Sequence, residues 1–545
     1  MTAETPISVQ IRSAGASTVR AAAFDVMRRH GLTTMFANPG STEVPLLSAL
    51  PSDFAFVLAL HEASVVGIAT GWALAREQPA LVLLHTTAGL GNAVGALATA
   101  RVNRAPLVVL VGQQDRRHLA YEPFLAGRLD GLGGDCPVCV EQPALARDVP
   151  GAIARAAHAA ATAAGPAVVI VPMDDWEAAV DGPLEIAAPR RLVRSAGVDE
   201  AAVAALAAYL AELDAPALVA GAGVAGQPAW EALADVAERL ACPVYQEPFG
   251  ARAGFPQDHP QFAGHLPAGR SGLRAALRRH DGVLVVGAAA FRQYVYERGP
   301  LVEQGTRVAV LTADPAEARR SVAELAVLAP IAPACRALAA QLTARPASRR
   351  PRRRRARRPA ASAGGLVAEE VFDALAARLP ADVALIEETP STRPALNARL
   401  PARSPHGFLS AAMGGLGFAL PAAIGLRMGD PGRPVVAVVG DGSSLYSVQA
   451  LWSAAHYGVG ALFVVLANGR YAIMDELARR AGGTAPWPPL QGVEIGALAR
   501  GLGCPSLRIE GREQLERTLD DVVPGLAQRA EPLLLEVVVD ASDGT

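Results

Sequence analysis

Short apolar runs alternate along the chain with longer stretches in which apolar residues recur at helical spacing. The short runs have the composition of buried strands, and the longer stretches have the period of helices. In the first part of the chain the predicted elements are, in order, helix 19–30, strand 34–36, helix 43–50, strand 54–59, helix 62–75, strand 80–84, helix 91–100 and strand 107–111. Regular alternation of this kind predicts an α/β fold with doubly wound parallel sheets, covered by helices on both faces.

One later stretch combines this pattern with candidate chemistry. Residues 435–439 and 461–466 predict buried parallel strands, and residues 447–456 predict a helix between them. In an open parallel sheet, ligands bind at the carboxyl ends of the strands. The residues that directly follow these two strands are therefore candidates for a binding site.

Asp441 follows the first of these strands, and Asn468 follows the second. A carboxylate and an amide oxygen together can hold a hard cation and leave other positions for phosphate oxygens. Gly440 and Gly442 flank Asp441 and would let the backbone approach a diphosphate closely. The alternative is an ordinary turn between a strand and a helix, because a bare Gly-Asp-Gly sequence is common.

The length of 545 residues is too great for one hydrophobic core and predicts about three domains. The helix and strand patterns place an N-terminal domain at 13–190, a central Rossmann-like domain at 191–343 and a C-terminal domain at 366–545. Residues 344–365, rich in Arg, Pro and Ala, are predicted to link the second and third domains.

Composition excludes several classes of protein. The chain contains no lysine, which excludes enzymes with a lysine Schiff base and P-loop proteins with a phosphate-binding lysine. A hydrophobic content of 51% and a net charge of −2 are typical of a globular enzyme, and no apolar run reaches membrane-spanning length. The N-terminal residues show no apolar signal region, and five cysteines do not indicate a disulfide framework. We therefore expect a cytoplasmic protein with no membrane partner.

Three motifs have two interpretations each. The arginine run within 345–365 could bind nucleic acid, but its position between domains favours a solvated linker, so no nucleic-acid partner is expected. The glycines at 221–226, with Glu247 about twenty residues on, fit a site for NAD or FAD, or only a turn in a Rossmann-like domain. Cys136 and Cys139 form a CxxC pair without a second pair, and a structural role is favoured over redox or zinc chemistry.

The stretch GDGS, followed 468 − 441 = 27 residues later by Asn468, resembles the binding motif for thiamine diphosphate (ThDP). Ala467 replaces the first Asn of the pair that this motif usually has. With NPGSTE, LHEASVVGIATGWA, LHTTAGLGNAVGAL and GGLGFALPAAIG, the chain resembles the ThDP-dependent 2-keto acid decarboxylases, and most of all the benzoylformate decarboxylases. The resemblance runs from about Ala21 to Val538.

The resemblance implies roles for individual residues. Glu62 would hydrogen-bond the aminopyrimidine ring of ThDP, although a Glu that opens a helix also suits the helix dipole. Ser41 and His85 would face the substrate and transfer protons; Ser41 could also cap the helix in front of Glu43. Mg²⁺ would be held by Asp441, Asn468 and the backbone carbonyl of Arg470. Leu416 would wedge between the two rings of the cofactor, and the other residues placed around it are Ser391, Gly414, Gly442, Ser443 and Tyr471.

The resemblance also implies the function: ThDP- and Mg²⁺-dependent non-oxidative decarboxylation of a small 2-oxo acid to an aldehyde and carbon dioxide. The site would lie between the subunits of a homodimer or homotetramer. The alternatives are a carboligase of the acetolactate synthase type and a non-catalytic ThDP-fold binding protein. In the central domain the resemblance favours a turn without nucleotide, although some ThDP relatives bind FAD or ADP there.

This chain departs from the family pattern at three positions. Tyr294 stands where the family has a second active-site histidine. Ser410 and Leu477 stand where two phenylalanines wall the phenyl pocket of benzoylformate decarboxylases. The predicted substrate is therefore a 2-oxo acid whose side chain the sequence does not define.

Overall fold

The computed structural model describes residues 17–180, 182, 184–189, 193, 197–346 and 365–540. The described residues contain three six-stranded parallel sheets, each packed between helices. Their inner strands are almost wholly buried runs of Val, Leu, Ile and Ala, as expected of parallel sheets covered on both faces, whereas several edge strands are partly exposed. The predicted fold class is confirmed.

The N-terminal sheet has the strand order β3-β2-β4-β5-β7-β6 and is parallel throughout. A short antiparallel pair, β1 with β8, joins the two ends of this unit. Its strands are β1 Ser17–Thr18, β2 Thr34–Asn38, β3 Ala55–Leu58, β4 Ala80–His85, β5 Leu107–Gln113, β6 Cys139–Glu141, β7 Pro166–Pro172 and β8 Ala179–Val180. Its helices are α1 Val19–Arg29, α2 Val44–Leu47, α3 Glu62–Arg76, α4 Thr86–Val102 and α5 Val149–Ala163.

The central sheet has the order β11-β10-β9-β12-β13-β14, the strand order of a dinucleotide-binding Rossmann fold. Its strands are β9 Pro216–Ala220, β10 Val244–Gln246, β11 Phe262–His265, β12 Gly282–Val286, β13 Arg307–Thr312 and β14 Leu325–Leu328. Its helices are α6 Glu200–Ala211, α7 Gln227–Leu240, α8 Arg270–Leu277, α9 Pro315–Arg319 and α10 Ile331–Gln341. The Rossmann-like character predicted for this domain is therefore present in its topology.

The C-terminal sheet, ordered β16-β15-β17-β18-β20-β19, repeats the topology of the N-terminal sheet. In both sheets the first strand lies between the second and the third, and the last two strands are exchanged. Its strands are β15 Ala384–Glu388, β16 Phe408–Ser410, β17 Val435–Gly440, β18 Leu462–Ala467, β19 Ser506–Ile509 and β20 Leu533–Val538. Its helices are α11 Ala368–Ala376, α12 Arg393–Arg399, α13 Ala419–Gly429, α14 Asp441–Ser444, α15 Ala450–His456, α16 Ala472–Arg480, α17 Ile495–Gly501 and α18 Arg512–Val522.

Three helix boundaries differ from the prediction. α4 begins at Thr86, whereas the prediction had a glycine-rich loop up to the helix at 91–100. A Cβ at Gly89 would lie 3.3 Å from the Leu84 carbonyl carbon, so glycine lets the first turn pack against the strand end. α2 ends at Leu47, and the chain turns before a proline, which disfavours helix in the residue ahead of it. α15 begins at Ala450, because the preceding residues form separate turns with bonds between residues three apart.

The N- and C-terminal units pack through α3 and α13. A Cβ at Gly67 would lie 2.6 Å from Pro421 Cγ, and a Cβ at Gly429 would lie 2.9 Å from Ala75 Cβ. Early residues of one helix thus meet early residues of the other, so the two helices run in the same direction. The start of α3, with Glu62, and the loop before α13 therefore lie at the same end of this helix pair.

The predicted linker falls mostly outside the described residues, as do residues on both sides of the predicted boundary at 190. The domain limits stay predictions. At the start of the linker the Arg345 main-chain N–H donates to the Arg239 carbonyl, and its guanidinium donates to the Leu210 carbonyl. No helix within the described ranges is both long enough and apolar enough to cross a membrane.

The packing of α3 against α13 requires glycine at the contact. A Cβ at Gly425 would lie 1.8 Å from the Ile68 carbonyl oxygen, so the helices must separate to admit one. We expect Gly425→Ala to destabilise the protein by about 3 kcal/mol, at the upper end of overpacking effects. The apparent melting temperature measures the change. Gly151→Ala, in α5, is the matched control: its Cβ meets only the end of Arg155 at 3.4 Å, so helix propensity should stabilise the control slightly. Equal melting temperatures for both variants would contradict the prediction.

Candidate active site

Glu62 lies buried at the carboxyl edge of the N-terminal sheet. Its carboxylate accepts hydrogen bonds from Asn38 Nδ2 and Asn92 Nδ2, both at 3.1 Å. The helix that Glu62 opens is capped by His61, whose Nδ1 accepts from the Ala63 N–H at 3.1 Å. Since the cap is supplied by His61, the two asparagines hold the Glu62 carboxylate for a purpose other than capping. This geometry favours the predicted binding role over the helix-dipole alternative.

His85, at the end of β4, is held by a carboxylate that sequence reasoning did not assign. Glu43 is only 1% exposed, and its Oε2 lies 3.0 Å from His85 Nδ1. Thr42 Oγ1 lies 2.9 Å from the same ring nitrogen and donates to Glu43 Oε1 at 2.5 Å. Nδ1 is therefore engaged, and Nε2 has no partner among the described residues. The imidazole is oriented so that Nε2 is the nitrogen available to another molecule.

Two glycines make room for this arrangement. A Cβ at Gly40 would lie 2.4 Å from the His85 ring, and a Cβ at Gly112 would lie 1.8 Å from Glu43 Oε1. The Gly40 N–H also donates to Glu43 Oε2 at 2.8 Å. In the sequence, Glu43 is marked only by its place at the end of the NPGSTE stretch, two residues after Ser41.

Ser41 lies in a single 3₁₀ turn, Ser41–Glu43. The alternative role of Ser41 as a helix cap is not seen, because Gly40 occupies the cap position of this turn and no side chain makes a capping hydrogen bond there. Its side chain is exposed. The hydroxyl is therefore free to meet a ligand at this edge.

Asp441 and Asn468 come together at the carboxyl edge of the C-terminal sheet, as predicted from their positions after neighbouring strands. Asp441 Oδ1 accepts from the Gly442 N–H at 2.8 Å, and Oδ2 accepts from the Gly469 N–H at 2.6 Å. Asn468 Oδ1 accepts from the Arg470 N–H at 3.1 Å. Burial raises the pKa of Asp441, while the backbone N–H donors oppose that shift. One carboxylate thus joins the ends of two adjacent strands.

The donor set at this edge suits a hard cation. Within the described ranges no group of three or more His, Cys, Asp and Glu side chains could hold a metal ion. A cation at Asp441 and Asn468 would therefore take its remaining ligands from backbone carbonyls, water or a phosphate. The Arg470 side chain pairs with Asp475 at 2.7 Å, which is consistent with a role for the Arg470 carbonyl alone.

A cavity of about 810 Å³ lies between the central and C-terminal units. Gly414 and Leu416, predicted to hold the cofactor, line it together with Tyr294 and Ser410. Leu477, named with Ser410 as a former pocket wall, is not among its lining residues; Ile473, one turn earlier in α16, is. The predicted N-terminal residues do not line this cavity. The predicted site residues thus form two groups, one at the carboxyl edge of the N-terminal sheet and one at that of the C-terminal sheet, which we call the two half-sites.

The other motifs have structural roles. The Gly221 N–H donates to the Val286 carbonyl at 2.9 Å and the Gly223 N–H donates to the Gly287 carbonyl at 2.8 Å, so these amides are not free for a phosphate. Glu247 is buried and does not present its carboxylate at the surface. This favours the turn over a nucleotide site. Burial raises the pKa of both Cys136 and Cys139, which makes them poor thiolates and agrees with a structural role.

Comparison with known proteins identifies the family. Models of the thiamine pyrophosphate enzymes match in three parts: the N-terminal TPP binding domain at residues 17–131, the central domain at 203–338 and the C-terminal TPP binding domain at 393–537. The chain belongs to the thiamine pyrophosphate enzymes.

Individual relatives narrow the assignment within this family. A benzoylformate decarboxylase of Pseudomonas aeruginosa is 39% identical over 525 residues, which are 95% of this chain and 98% of that protein. The crystal structure of a benzoylformate decarboxylase from Polynucleobacter necessarius superimposes with a TM-score of 0.92 at 32% identity, covering 96% of this chain and 99% of the other. A ThDP-dependent 4-hydroxybenzoylformate decarboxylase of Rhodococcus jostii gives a TM-score of 0.89 at 34% identity, with coverage of 96% and 99%. The predicted family, cofactor, enzyme class and decarboxylation are confirmed at this level.

The described residues of this thiamine pyrophosphate enzyme fit the cofactor. Gly414 has φ +77, and a Cβ placed on it would have no heavy atom within 4 Å, so open space lies beside its backbone. Leu416 borders the same space. At the sheet edge with Asp441 and Asn468, a Cβ at Gly442 would lie 2.7 Å from the Tyr471 ring, which therefore closes one side. Ser443 is buried in α14, and Ser391 is exposed at the end of the strand-to-helix loop after β15.

Glu388 is a second carboxylate that the sequence did not reveal. It is buried and accepts from the N–H groups of Gly417, Phe418 and Ala419 at 2.7, 2.8 and 2.7 Å. Burial raises its pKa to about 7. It fixes the first turn of α13, and with it the loop that carries Gly414 and Leu416.

Asp441→Ala should abolish Mg²⁺-dependent binding of ThDP, because it removes the carboxylate that joins the two strand ends. Calorimetry on cofactor-free protein, with and without Mg²⁺, measures this binding. Asp520→Asn, at an exposed pair with Arg378, is the control and should bind as the wild type does. Unchanged affinity and unchanged Mg²⁺ dependence in Asp441→Ala would show that the site is elsewhere.

Glu43→Ala should impair the proton transfer proposed for His85, because it removes the carboxylate that holds Nδ1. We expect turnover to fall by about tenfold to a hundredfold, less than for loss of a general acid–base group itself. Glu43→Gln keeps a hydrogen-bonding partner for His85 Nδ1. It should therefore recover part of the lost turnover and return the dependence of the rate on pH towards that of the wild type. If the Gln and Ala variants were equally impaired with identical pH profiles, Glu43 would have only a packing role.

Proposed function

We propose that this protein is a ThDP- and Mg²⁺-dependent decarboxylase that converts a small 2-oxo acid into an aldehyde and carbon dioxide. The observation that carries the proposal is the pairing of Asp441 and Asn468 at adjoining strand ends, on the same sheet edge as the loop with Gly414 and Leu416. The benzoylformate decarboxylases among its relatives support a 2-oxo acid substrate.

Bound ThDP would supply the electron sink that accepts the electron pair released when carbon dioxide leaves. The protein's own residues hold and shape it. Asp441, Asn468 and the Arg470 carbonyl would hold Mg²⁺ and, through it, the diphosphate. Leu416 would keep the two rings bent towards each other. Glu62, fixed by its two asparagines, would bind the aminopyrimidine ring.

His85 is the group best placed to move a proton. Its Nδ1 is engaged by Glu43 and Thr42, so Nε2 is the atom that exchanges a proton with the reacting molecule. An imidazole nitrogen can both accept and donate a proton, which suits proton transfer to a reacting molecule. Ser41, exposed on the neighbouring turn, would orient the substrate carboxylate.

The two half-sites imply that the active site is completed by a second copy of the chain. Exposed apolar side chains flank the predicted residues of both halves: Leu60 lies near Glu62, Met413 precedes Gly414, Tyr446 follows the Asp441 helix and Met474 lies near Tyr471. Exposed apolar groups gathered around a polar site mark a surface that another protein covers. A homodimer is therefore the smallest active unit, and a homotetramer would be a pair of such dimers.

Tyr294 is the observation that keeps carboligation as a second candidate. It lines the cavity and is 66% exposed in the single chain, where the resemblance implies a histidine. A phenol is a weaker acid than an imidazolium ion and donates a proton less readily at neutral pH. A share of the product could then arise by attack on a second carbonyl compound. The intact Glu62, Asp441 and Asn468 argue against a non-catalytic binding protein.

The five cysteines of this chain are all free thiols, which supports the cytoplasm as the compartment of the protein.

A screen of 2-oxo acids for ThDP-dependent release of carbon dioxide tests the proposed function. We expect at least one acid to release carbon dioxide with an aldehyde as the main product. Acetoin-like ligation products in excess of aldehyde would favour the carboligase instead. Lack of carbon dioxide release from every acid, in protein shown by calorimetry to bind ThDP, would refute the proposal.

Complementation between two inactive variants tests the shared site. Glu62→Gln and Asp441→Ala should each be inactive alone. Mixed dimers should regain activity, because one of their two sites would combine an intact Glu62 with an intact Asp441 from the other chain. The matched control mixes the double variant, Glu62→Gln/Asp441→Ala, with either single variant. No site in such a dimer has both residues intact, so no activity should return. If mixing the single variants restored nothing, the site would belong to a single chain.

A further inference from the structure

The strand β16 leads directly into residues 413–417, which we call the cofactor loop because Gly414 and Leu416 lie in it. β16 is an edge strand of the C-terminal sheet and ends at Ser410, and the two residues that follow it are buried. Buried backbone groups need hydrogen-bond partners, and β16 has a neighbouring strand of its own sheet on one side only. The Ser410 N–H donates to the Ala251 carbonyl of the central unit at 2.9 Å. Other units of the chain thus help to hold this end of β16.

Asn103 of the N-terminal unit supplies two more of these partners. It directly follows α4 and is 1% exposed. Its Nδ2 donates to the Ser410 carbonyl at 2.9 Å, and its Oδ1 accepts from the Ala412 N–H at 2.9 Å. One bond needs the amide nitrogen and the other needs the amide oxygen, so together they fix the orientation of the side chain. Asn103 therefore pairs with the backbone of this segment as a neighbouring strand would.

Two further contacts hold the same segment. Thr99, one turn earlier in α4, is buried, and a Cβ at Gly415 would lie 3.3 Å from Thr99 Oγ1. Arg292 of the central unit donates from Nη2 to the Ala412 carbonyl at 3.0 Å. The N–H and the carbonyl of Ala412 are therefore each bound by a side chain, one from each of the other two units.

A simpler interpretation is that Asn103 only joins two units of the chain. Its neighbour Arg104 has such a role, because it pairs with Asp314 at 2.9 Å and with Glu317 at 2.7 Å in the central unit. The partners of Arg104 are side chains outside the cofactor loop and the end of β16. The partners of Asn103 are backbone groups that lead into the loop, so the two neighbours form a natural comparison.

The covalent path from the bonded backbone to the cofactor residues is short. Ala412 lies two residues before Gly414 and four before Leu416. The Gly414 N–H donates to the Ala411 carbonyl at 3.0 Å, which makes this path a tight turn. A shift of Ala412 therefore also moves the cofactor loop.

We propose that Asn103, assisted by Arg292, is a positioning residue that holds Ala412 and so gives the cofactor loop its binding conformation before ThDP binds. This inference rests on the proposed function. A loop that is already ordered loses little conformational freedom on binding, so loss of its supports weakens binding. Asn103 thus acts on the half-site of the C-terminal sheet, although it belongs to the N-terminal unit.

Calorimetry of ThDP binding to cofactor-free protein, in the presence of Mg²⁺, tests the inference. Asn103→Leu keeps a similar side-chain shape and removes both hydrogen bonds. We expect it to weaken binding by about tenfold to a hundredfold, the usual effect of losing groups that hold binding residues. Arg292→Met removes one bond and should weaken binding less, and it provides the test if Asn103→Leu does not fold. Arg104→Gln, the matched control, should lower the melting temperature and bind ThDP as the wild type does.

Hydrogen exchange followed by mass spectrometry locates the effect in the cofactor-free protein. Peptides that contain residues 410–418 should exchange faster in Asn103→Leu than in the wild type, whereas peptides that contain Glu62 should not. This comparison is needed because α4 also carries Asn92, which donates to Glu62.

Mixed dimers test which half-site Asn103 serves, at a ThDP concentration that saturates only the wild type. Asn103→Leu mixed with Glu62→Gln should regain activity, because one site combines an intact Glu62 with an intact cofactor loop. Asn103→Leu mixed with Asp441→Ala should regain none, because both variants are damaged in the same half-site. The reverse pattern would place the effect of Asn103 in the N-terminal half-site and overturn the inference.

Other outcomes also overturn it. Wild-type affinity for ThDP in folded Asn103→Leu with a lowered melting temperature would show that Asn103 only joins the units. Unchanged exchange at residues 410–418 would show that Asn103 does not hold the loop. If no 2-oxo acid released carbon dioxide, the proposed function would fail, but calorimetry and hydrogen exchange would still decide this inference.

Discussion

The close parallel contact of α3 and α13 is the constraint on which the arrangement of both half-sites depends. Helices that approach so closely leave no room for a Cβ at Gly71 or Gly425. The contact fixes the start of α3 and the loop before α13 at one end of the helix pair. Glu62 stands at the first of these places, and Leu416 at the second. Displacement of either helix would move a residue that is proposed to bind the cofactor.

Buried carboxylates do much of the positioning at these edges. Glu43 orients an imidazole, Glu388 fixes a helix start, and Asp441 joins two strand ends. Each is taken out of water, which is unfavourable for a charge, and each is compensated by hydrogen bonds from backbone N–H groups or a neighbouring hydroxyl. A site built in this way is rigid, because movement of the backbone would leave the carboxylate unpaired.

The fold class and the meeting of Asp441 and Asn468 at one sheet edge could be predicted from the sequence, since both follow from local patterns. Buried strands can be recognised as short apolar runs. Asp441 and Asn468 each follow such a strand, so a parallel sheet alone brings them to the same edge. Glu43 and Glu388 could not be found in this way, because their roles arise from contacts across turns and between strands. The alternative role of Ser41 as a helix cap is absent for a similar reason: Gly40 occupies the cap position, and its N–H donates to Glu43 Oε2. The start of α4 was missed because glycines usually mark loops, whereas here Gly89 permits close packing within a helix.

The carboxyl of Glu388 also links the stability of this fold to proton concentration. Its pKa in the folded chain is about 7, above that of an ordinary glutamate, so the folded state holds a proton that the unfolded state releases between those two values. The resulting stabilisation is complete in acid and is lost as the pH rises through about 7. It amounts to about 3 kcal/mol, at 1.36 kcal/mol per unit of pKa. Since the same carboxyl accepts hydrogen bonds from the first turn of α13, its ionisation changes the group that holds the loop with Gly414 and Leu416, the residues proposed to hold the cofactor.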